Sequence, residues 1–209
     1  MTNIFFVRHG KVRNPLGLFY GRSFGFPLDE SGRTQAKIAG KYLRDKSIDI
    51  VYSSPQLRAC ETAEIILGFH KHLVLRISDW LNEVYCPFDG QPIEIAEKRE
   101  FDVYTGVGLE FEQPEDVLAR ARKFIFGVLT GHNGQNIVAV SHGDLIAFLL
   151  LWANRIECKP VNKTGLYKKY LKPGSIFIFS FETKEKVELP KVQYVDLEEG
   201  VERDLKLEL

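Results

Sequence analysis

Nowhere in the chain do eighteen apolar residues run together, so no membrane-spanning helix is expected. Net charge is also missing. The 28 Lys and Arg balance 28 Asp and Glu, so no global field argues for nucleic acid or an anionic bilayer as partner. Cysteine is scarce: Cys60, Cys86 and Cys158 form no Cys-x-x-Cys pair and no zinc spacing, and the odd count points to free thiols in a reducing cytosol. Only Met1, Thr2 and Asn3 precede the first apolar run, which leaves no room for a signal peptide, and the expectation is a cytoplasmic protein. No repeat, low-complexity tract or linker interrupts the 209 residues, a length that suits one domain spanning 1–209.

What is present is a strand ending that occurs twice. Asn3-Ile4-Phe5-Phe6-Val7-Arg8-His9-Gly10 reads as a short strand, buried on both faces, that stops on an arginine, a histidine and a glycine. Ile137-Val138-Ala139-Val140 runs into Ser141-His142-Gly143 in the same manner. Open α/β sheets gather ligands at the carboxyl ends of their strands, so two imidazoles are expected over one sheet edge. Gly10 is expected to let the backbone turn and approach a ligand closely. Charge is uneven along the chain: residues 1–60 carry 10 Lys or Arg against 4 Asp or Glu, and residues 182–209 carry 5 against 9. A local anionic ligand near the first strand agrees with that surplus.

Between these endings the pattern alternates. Residues 11–28 form a long loop of the kind that usually carries function. A helix starts at Asp29 with Ala36, Ala39 and Leu43 inward, and a strand covers Ile48 to Tyr52. Ser54 and Pro55 are read as the cap and first residue of a second helix, with Leu57, Cys60, Ala63 and Ile66 on one face. A third strand spans Leu73 to Arg76, and 77–113 is an irregular insertion folded over the sheet edge. Pro114 opens a helix burying Leu118, Ala121, Ile125 and Val128, and Gly131 ends it. Leu145 to Trp152 is apolar enough to be buried on most sides, Ser175 to Phe181 is a strand, and the charged tail is expected to add a hairpin. The alternation predicts a three-layer α/β fold.

Several of these residues bear on chemistry. Arg58 falls in a first helical turn, where the dipole disfavours a cation and an anion would relieve the conflict. Arg8 adds a second guanidinium with a fork that matches phosphate. Nearby cations would keep His9 neutral and nucleophilic, and His142 could stabilise phosphoryl oxygens as an imidazolium or an N–H donor. By themselves the two histidines could equally be structural caps of strand-to-helix turns.

Taken together the segments resemble the histidine phosphatase, or phosphoglycerate mutase-like, superfamily. Arg8-His9-Gly10 with Asn14 looks like its signature, and Pro27-Leu28-Asp29-Glu30-Ser31-Gly32 with Gln35-Ala36 like the opening of its first helix. Ser53-Ser54-Pro55-Gln56-Leu57-Arg58-Ala59 with Glu61-Thr62-Ala63 matches its second-arginine motif, Leu81-Asn82-Glu83 its proton-donor segment, and Val140-Ser141-His142-Gly143-Asp144 its second-histidine motif. The resemblance implies a mostly parallel sheet with one antiparallel strand. It further implies that His9 accepts the phosphoryl group, that Arg8, Arg58 and His142 hold it, and that Glu83 serves as general acid and then base. Asn14 and Arg22 become candidate substrate contacts. Glu112 falls where some members carry an acidic segment. Family members need no metal or other cofactor, and no metal-ligand cluster is evident in the sequence.

Some positions depart from the pattern. Val12 stands where many members have a hydroxyl residue, and Phe24-Gly25-Phe26 replaces a usual aspartate. Phe88-Asp89-Gly90 looks more like the phosphatase branch than the longer mutase insertions. The expectation is a phosphomonoester hydrolase acting through a phosphohistidine on a small phosphorylated metabolite. The alternatives are a phosphoglycerate mutase-type phosphoryl transferase and a catalytically silent phosphate-binding scaffold. The connection 154–172 holds six basic residues (Arg155, Lys159, Lys163, Lys168, Lys169, Lys172) against Glu157. It is expected to be a solvated loop or, on the sharper reading, to steer multiply charged substrates.

Overall fold

The computed structural model describes residues 1–182 and 189–207. In chain order the elements are β1 (Thr2–Arg8), α1 (Glu30–Leu43), β2 (Ile50–Ser53), α2 (Leu57–Leu67), β3 (Leu75–Ile77), a 3₁₀ turn (Asp79–Leu81), α3 (Ile93–Lys98), α4 (Pro114–Gly131), β4 (Asn136–Ser141), α5 (Gly143–Ala153), α6 (Pro160–Lys169), β5 (Ile176–Phe181), β6 (Lys191–Asp196) and β7 (Val201–Asp204). The strands form one mixed sheet in the order β3-β2-β4-β1-β5-β6-β7. β1 to β4 are mutually parallel, β5 runs antiparallel to β1, and the tail adds the antiparallel hairpin β6–β7.

The alternation of β1 explains the layers. Ile4 and Phe6 enter one core with Val117, Ala121 and Ile125 of α4 and the apolar residues of α5. Phe5 and Val7 enter the other, with Ala39 and Leu43 of α1 and Ala59, Ala63 and Ile66 of α2. Side chains of successive strand residues point to opposite faces, so an unbroken apolar run requires helices on both. In α5, Leu145, Ile146, Phe148, Leu149, Leu150 and Leu151 are all fully buried. Each contributes about 2 kcal/mol of transfer free energy, which fixes the helix whose N-cap is His142.

Five expectations shift. α2 begins at Leu57 with Gln56 as its N-cap, because the Ser54 hydroxyl is turned to other partners before the helix starts. Val117, rather than Leu118, is the deeply buried residue at the start of α4, and Arg120 lies buried on the same side. The 77–113 segment holds the 3₁₀ turn and α3, and most of 154–172 is α6, started by Pro160 at a position where a missing N–H costs nothing. Gly10 does not have positive φ; a Cβ there would strike the backbone of Gly32, so its smallness lets the start of α1 pack against the end of β1. Residues 183–188 and 208–209 of the tail lie outside the described residues. No helix among those described is long and apolar enough to cross a membrane.

Candidate active site

Three parallel strands end level with one another, and the site stands on those ends. Arg8 pairs with Ser141 and Ser53 with Val140, so His9, His142 and Ser54 each follow the last paired residue of β1, β4 and β2. The His9 N–H donates to the Ser141 carbonyl (3.0 Å) and the Ser54 N–H to the Val140 carbonyl (2.9 Å). The ring centroids of His9 and His142 lie 5.2 Å apart, close to the ~4.8 Å that separates neighbouring strands. Sheet spacing thus sets the spacing of the imidazoles.

Both rings are buried, and their hydrogen bonds assign their tautomers. His9 Nδ1 donates to the Gly10 carbonyl (2.8 Å), which leaves a lone pair on Nε2; Arg58 Nε donates to that nitrogen at 3.3 Å. His142 Nδ1 receives Arg58 Nη2 at 3.2 Å, so its proton sits on Nε2, 2.7 Å from the Ser54 hydroxyl. Burial, and after it the charge of Arg58, hold both rings well below their ordinary pKa of 6.5. For His9 the sequence points to neighbouring cations as the cause; desolvation is the larger one. Arg58 itself is 1% exposed, donates through Nη2 to the Gly21 carbonyl (2.7 Å) and lies 4.7 Å over the Tyr20 ring.

Glu83 arrives from the far side of the sheet and is anchored by its backbone. The Ser141 hydroxyl donates to Leu81 O (2.7 Å), Gln56 Nε2 to Asn82 Oδ1 (2.9 Å), and Arg120 Nη1 to Asn82 O (2.7 Å). Arg22 Nε (2.7 Å) and Arg120 Nη2 (3.1 Å) both donate to Glu83 O. So held, Glu83 Oε2 lies 3.4 Å from His142 Nδ1 and 3.7 Å from Arg58 Nη2. Burial raises its pKa above the usual 4.5, and Arg58 partly opposes the rise.

The structure therefore brings Arg58, His9, His142 and Glu83 into one cluster, with Arg8 and Glu83 lining the adjoining cavity. Arg8 donates through Nη1 to Leu171 O and lies 5.2 Å over the Tyr167 ring, with its Nε buried and unpartnered. Asn14 spends both ends of its amide on Leu18, closing the 14–18 turn. Arg22 is committed to Glu83 O and, through Nη2, to Glu112 Oε2 (2.8 Å). Glu112 also takes Arg120 Nε (2.6 Å) and the Tyr85 N–H (2.8 Å). Sequence reasoning missed Ser54 as a partner of His142, Arg120, and Thr62, whose hydroxyl accepts from the Gly10 N–H (3.1 Å). An arginine at 120, three residues after Val117 and one before Ala121, was the available signal for a buried cation.

A set of potential metal ligands does exist, contrary to the sequence expectation: His9, Glu83 and His142 offer donor atoms all within 4.8 Å of one another. They do not fit a cation. Arg58 already donates to the two imidazole lone pairs that an ion would need, and its charge would repel the ion. The surroundings suit an anion.

Comparison with known proteins agrees with that geometry. The chain is 30% identical over 151 residues to an uncharacterized phosphatase PhoE of Bacillus subtilis, covering 72% of this chain and 76% of that one. It is 38% identical over 179 residues to a 2,3-bisphosphoglycerate-dependent phosphoglycerate mutase of Methanococcus vannielii, covering 81% and 66%. The structure of Bacillus stearothermophilus YhfR shares the fold, with a TM-score of 0.75, 23% identity, and coverage of 90% and 95%. The profile of the histidine phosphatase superfamily (branch 1) matches residues 4–189, a span that contains both histidines, Arg58 and Glu83. The chain belongs to the histidine phosphatase superfamily.

Proposed function

We propose that the protein hydrolyses monoesters of small phosphorylated molecules through a phosphohistidine on His9, without a metal. The observation that carries the reading is the His9 Nε2 lone pair, held neutral and facing Arg58, in a site that also contains the carboxyl of Glu83. His9 Nε2 attacks phosphorus, the P–O ester bond breaks, and the leaving oxygen takes its proton from Glu83. Glu83, now a carboxylate, accepts a proton from water; the water oxygen bonds to phosphorus, the P–N bond breaks and His9 is restored. Arg58 and Arg8 neutralise the phosphoryl oxygens. A dianion in the site favours the protonated form of His142, which then becomes a donor to it.

Arg22 and Glu112 act through Glu83 by fixing its backbone, and Asn14 shapes the loop, so all three are read as positioning residues. Free Cys60, Cys86 and Cys158 accord with a reducing cytoplasmic setting.

Rapid quenching after mixing with a ³²P-labelled ester tests the proposal. The protein should carry an acid-labile, alkali-stable phosphate, and His9→Ala should lose both the label and at least about 99% of turnover. Retention of more than about a tenth of the activity by His9→Ala would overturn the mechanism. Interconversion of 3- and 2-phosphoglycerate that outpaces phosphate release would favour the mutase reading. Binding of phosphate with no turnover of p-nitrophenyl phosphate would favour the scaffold.

A further inference from the structure

Two cavities lie side by side at the mouth of the site, and two aromatic side chains stand on their boundary. The inner cavity, about 150 Å³, adjoins Glu83 and Arg8 and has Phe19, Ile93 and Val103 in its walls. The outer cavity, about 330 Å³, opens beside Glu97, Glu100 and Thr164. Phe101 and Tyr167 line both. The two spaces therefore adjoin one another, with these two rings between them.

Phe101 is held there at some cost. Glu100 and Phe101 are consecutive residues with φ of 51° and 58°, a region that side-chain-bearing residues avoid and bulky ones most of all. The Phe101 ring is not a core residue, since the residue remains 42% exposed. The strained backbone is nevertheless tied down on both sides. Its N–H donates to Ala96 O (2.8 Å), and its carbonyl accepts from Lys163 Nζ (3.0 Å). Lys163 is buried, and its ammonium also pairs with Asp144 at 2.6 Å, two residues beyond His142. A fixed, strained, half-exposed phenylalanine at a cavity boundary is an outlier of the kind that marks a functional constraint.

The charges around the two spaces define what fits. Asp144 and Lys163 neutralise one another, and Arg8 is the cation of the inner wall. Farther out, Glu97 and Glu100 present carboxylates, which disfavour a second anionic group on the substrate. Phe19, Ile93, Val103 and Phe101 offer apolar contact to whatever the phosphoryl group is attached to.

We propose that Phe101 is a specificity-determining residue: it partitions the leaving-group pocket, so that the protein prefers phosphate monoesters of short, uncharged, largely apolar alcohols and rejects longer ones. The inference rests on the hydrolase reading for its substrate and deepens it. Tyr167 forms the fixed side of the partition, since its hydroxyl is bonded to Asp144 and its ring lies under Arg8. Phe101 is the side that substitution can remove without touching a group near the phosphorus.

A series of n-alkyl phosphates from ethyl to decyl tests this, with kcat/KM measured for the wild type, Phe101→Ala and Phe101→Trp. The wild type should show a break in kcat/KM at one chain length. Phe101→Ala should move that break to longer chains and raise the long-to-short ratio by at least about tenfold; Phe101→Trp should move it to shorter ones. Circular dichroism of the variants establishes that they are folded. A parallel series of n-alkylphosphonates, which cannot be hydrolysed, should show the same displacement in affinity by calorimetry. Equal changes at all chain lengths, or shifts of the same sign in both variants, would overturn the partition while leaving hydrolysis standing. Phosphonates that bind with the displaced break beside esters that are never cleaved would overturn the hydrolase and leave the partition. A wild type that neither cleaves the esters nor binds the phosphonates would overturn both.

Discussion

Arg58 Nε lies 3.3 Å from His9 Nε2, so the guanidinium occupies the lone pair that attacks phosphorus in the proposed mechanism. One cation thereby has two effects. It opposes protonation of His9, and under the proposed mechanism it supplies donors that a phosphoryl oxygen can take in exchange.

Arg58→Ala should separate those effects. Transition-state stabilisation by an aimed cation is worth roughly 10²–10³ in rate, so kcat/KM should fall by that factor on aryl and alkyl phosphates alike. Loss of the charge should also raise the pKa of His9 and of Glu83, since Arg58 lowers both. Heteronuclear NMR titration of His9 provides a readout that does not require turnover. A His9 pKa that stays put or falls in the variant would show that burial alone sets it.

Glu83→Gln should discriminate between leaving groups. An alkoxide needs a proton as it departs, so alkyl phosphates should lose about 10²–10⁴ in kcat, whereas p-nitrophenyl phosphate should lose far less. Equal losses on the two substrate classes would show that Glu83 is not the general acid.

The buried imidazoles also make stability depend on pH. Both have folded pKa values below the 6.5 of an exposed histidine, so below pH 6.5 the unfolded chain binds protons that the folded one refuses. Stability attributable to them is full above pH 6.5 and declines as pH falls, by about 1.4 kcal/mol per pH unit for each ring. Glu83, with its raised pKa, contributes in the opposite sense: its stabilisation is present below 4.5 and is lost as pH rises through the folded value. Urea denaturation between pH 5 and 7 should therefore show a steeper decline for the wild type than for a His9→Gln/His142→Gln double variant. Parallel pH profiles would contradict the buried, neutral assignment.

Arg120 is the brace of the acid-bearing segment. It donates to Trp80 O, Asn82 O, Glu83 O and both carboxylate oxygens of Glu112. Arg120→Ala should destabilise the fold by about 3 kcal/mol, because Glu112 and three carbonyls lose a partner in a largely buried setting. It should also lower kcat on alkyl phosphates more than on p-nitrophenyl phosphate, mirroring Glu83→Gln in kind. A loss of stability without that leaving-group signature would mean that the brace serves the fold alone.

Legibility in the sequence followed the range of the interactions. β1, α1, α4, β4 and α5 were readable because burial there depends on local pattern: apolar runs, Asp29 as a cap, Pro114 and Gly131 as bounds. The residues at the cluster were named from short motifs that sit at element ends. Whatever depends on distant partners was not readable. Ser54 looked like a helix cap because nothing local reveals that His142 will take its hydroxyl. Arg22 and Glu112 were seen as separate candidates, and only the folded chain joins them in an ion pair across 90 residues. The lysine-rich connection looked like one solvated loop, yet Lys163 within it is buried against Asp144, and Lys159 is paired with Glu157. The side chain of Lys168, another of the six basic residues of that connection, lies outside the described residues.

The pairing of β1 with β4 has a consequence in time as well as in space. Residues 9 and 142 become neighbours only when strands more than a hundred residues apart in the chain zip together in parallel, with β2 beside them. Such distant closures are the slow part of folding, since the loop entropy is lost before the contacts reward it. Local helices can therefore form in a refolding or newly made chain well before any site exists. Catalytic competence should return in a single late phase, together with the last long-range strand register, and an early collapsed species should be helical and inert.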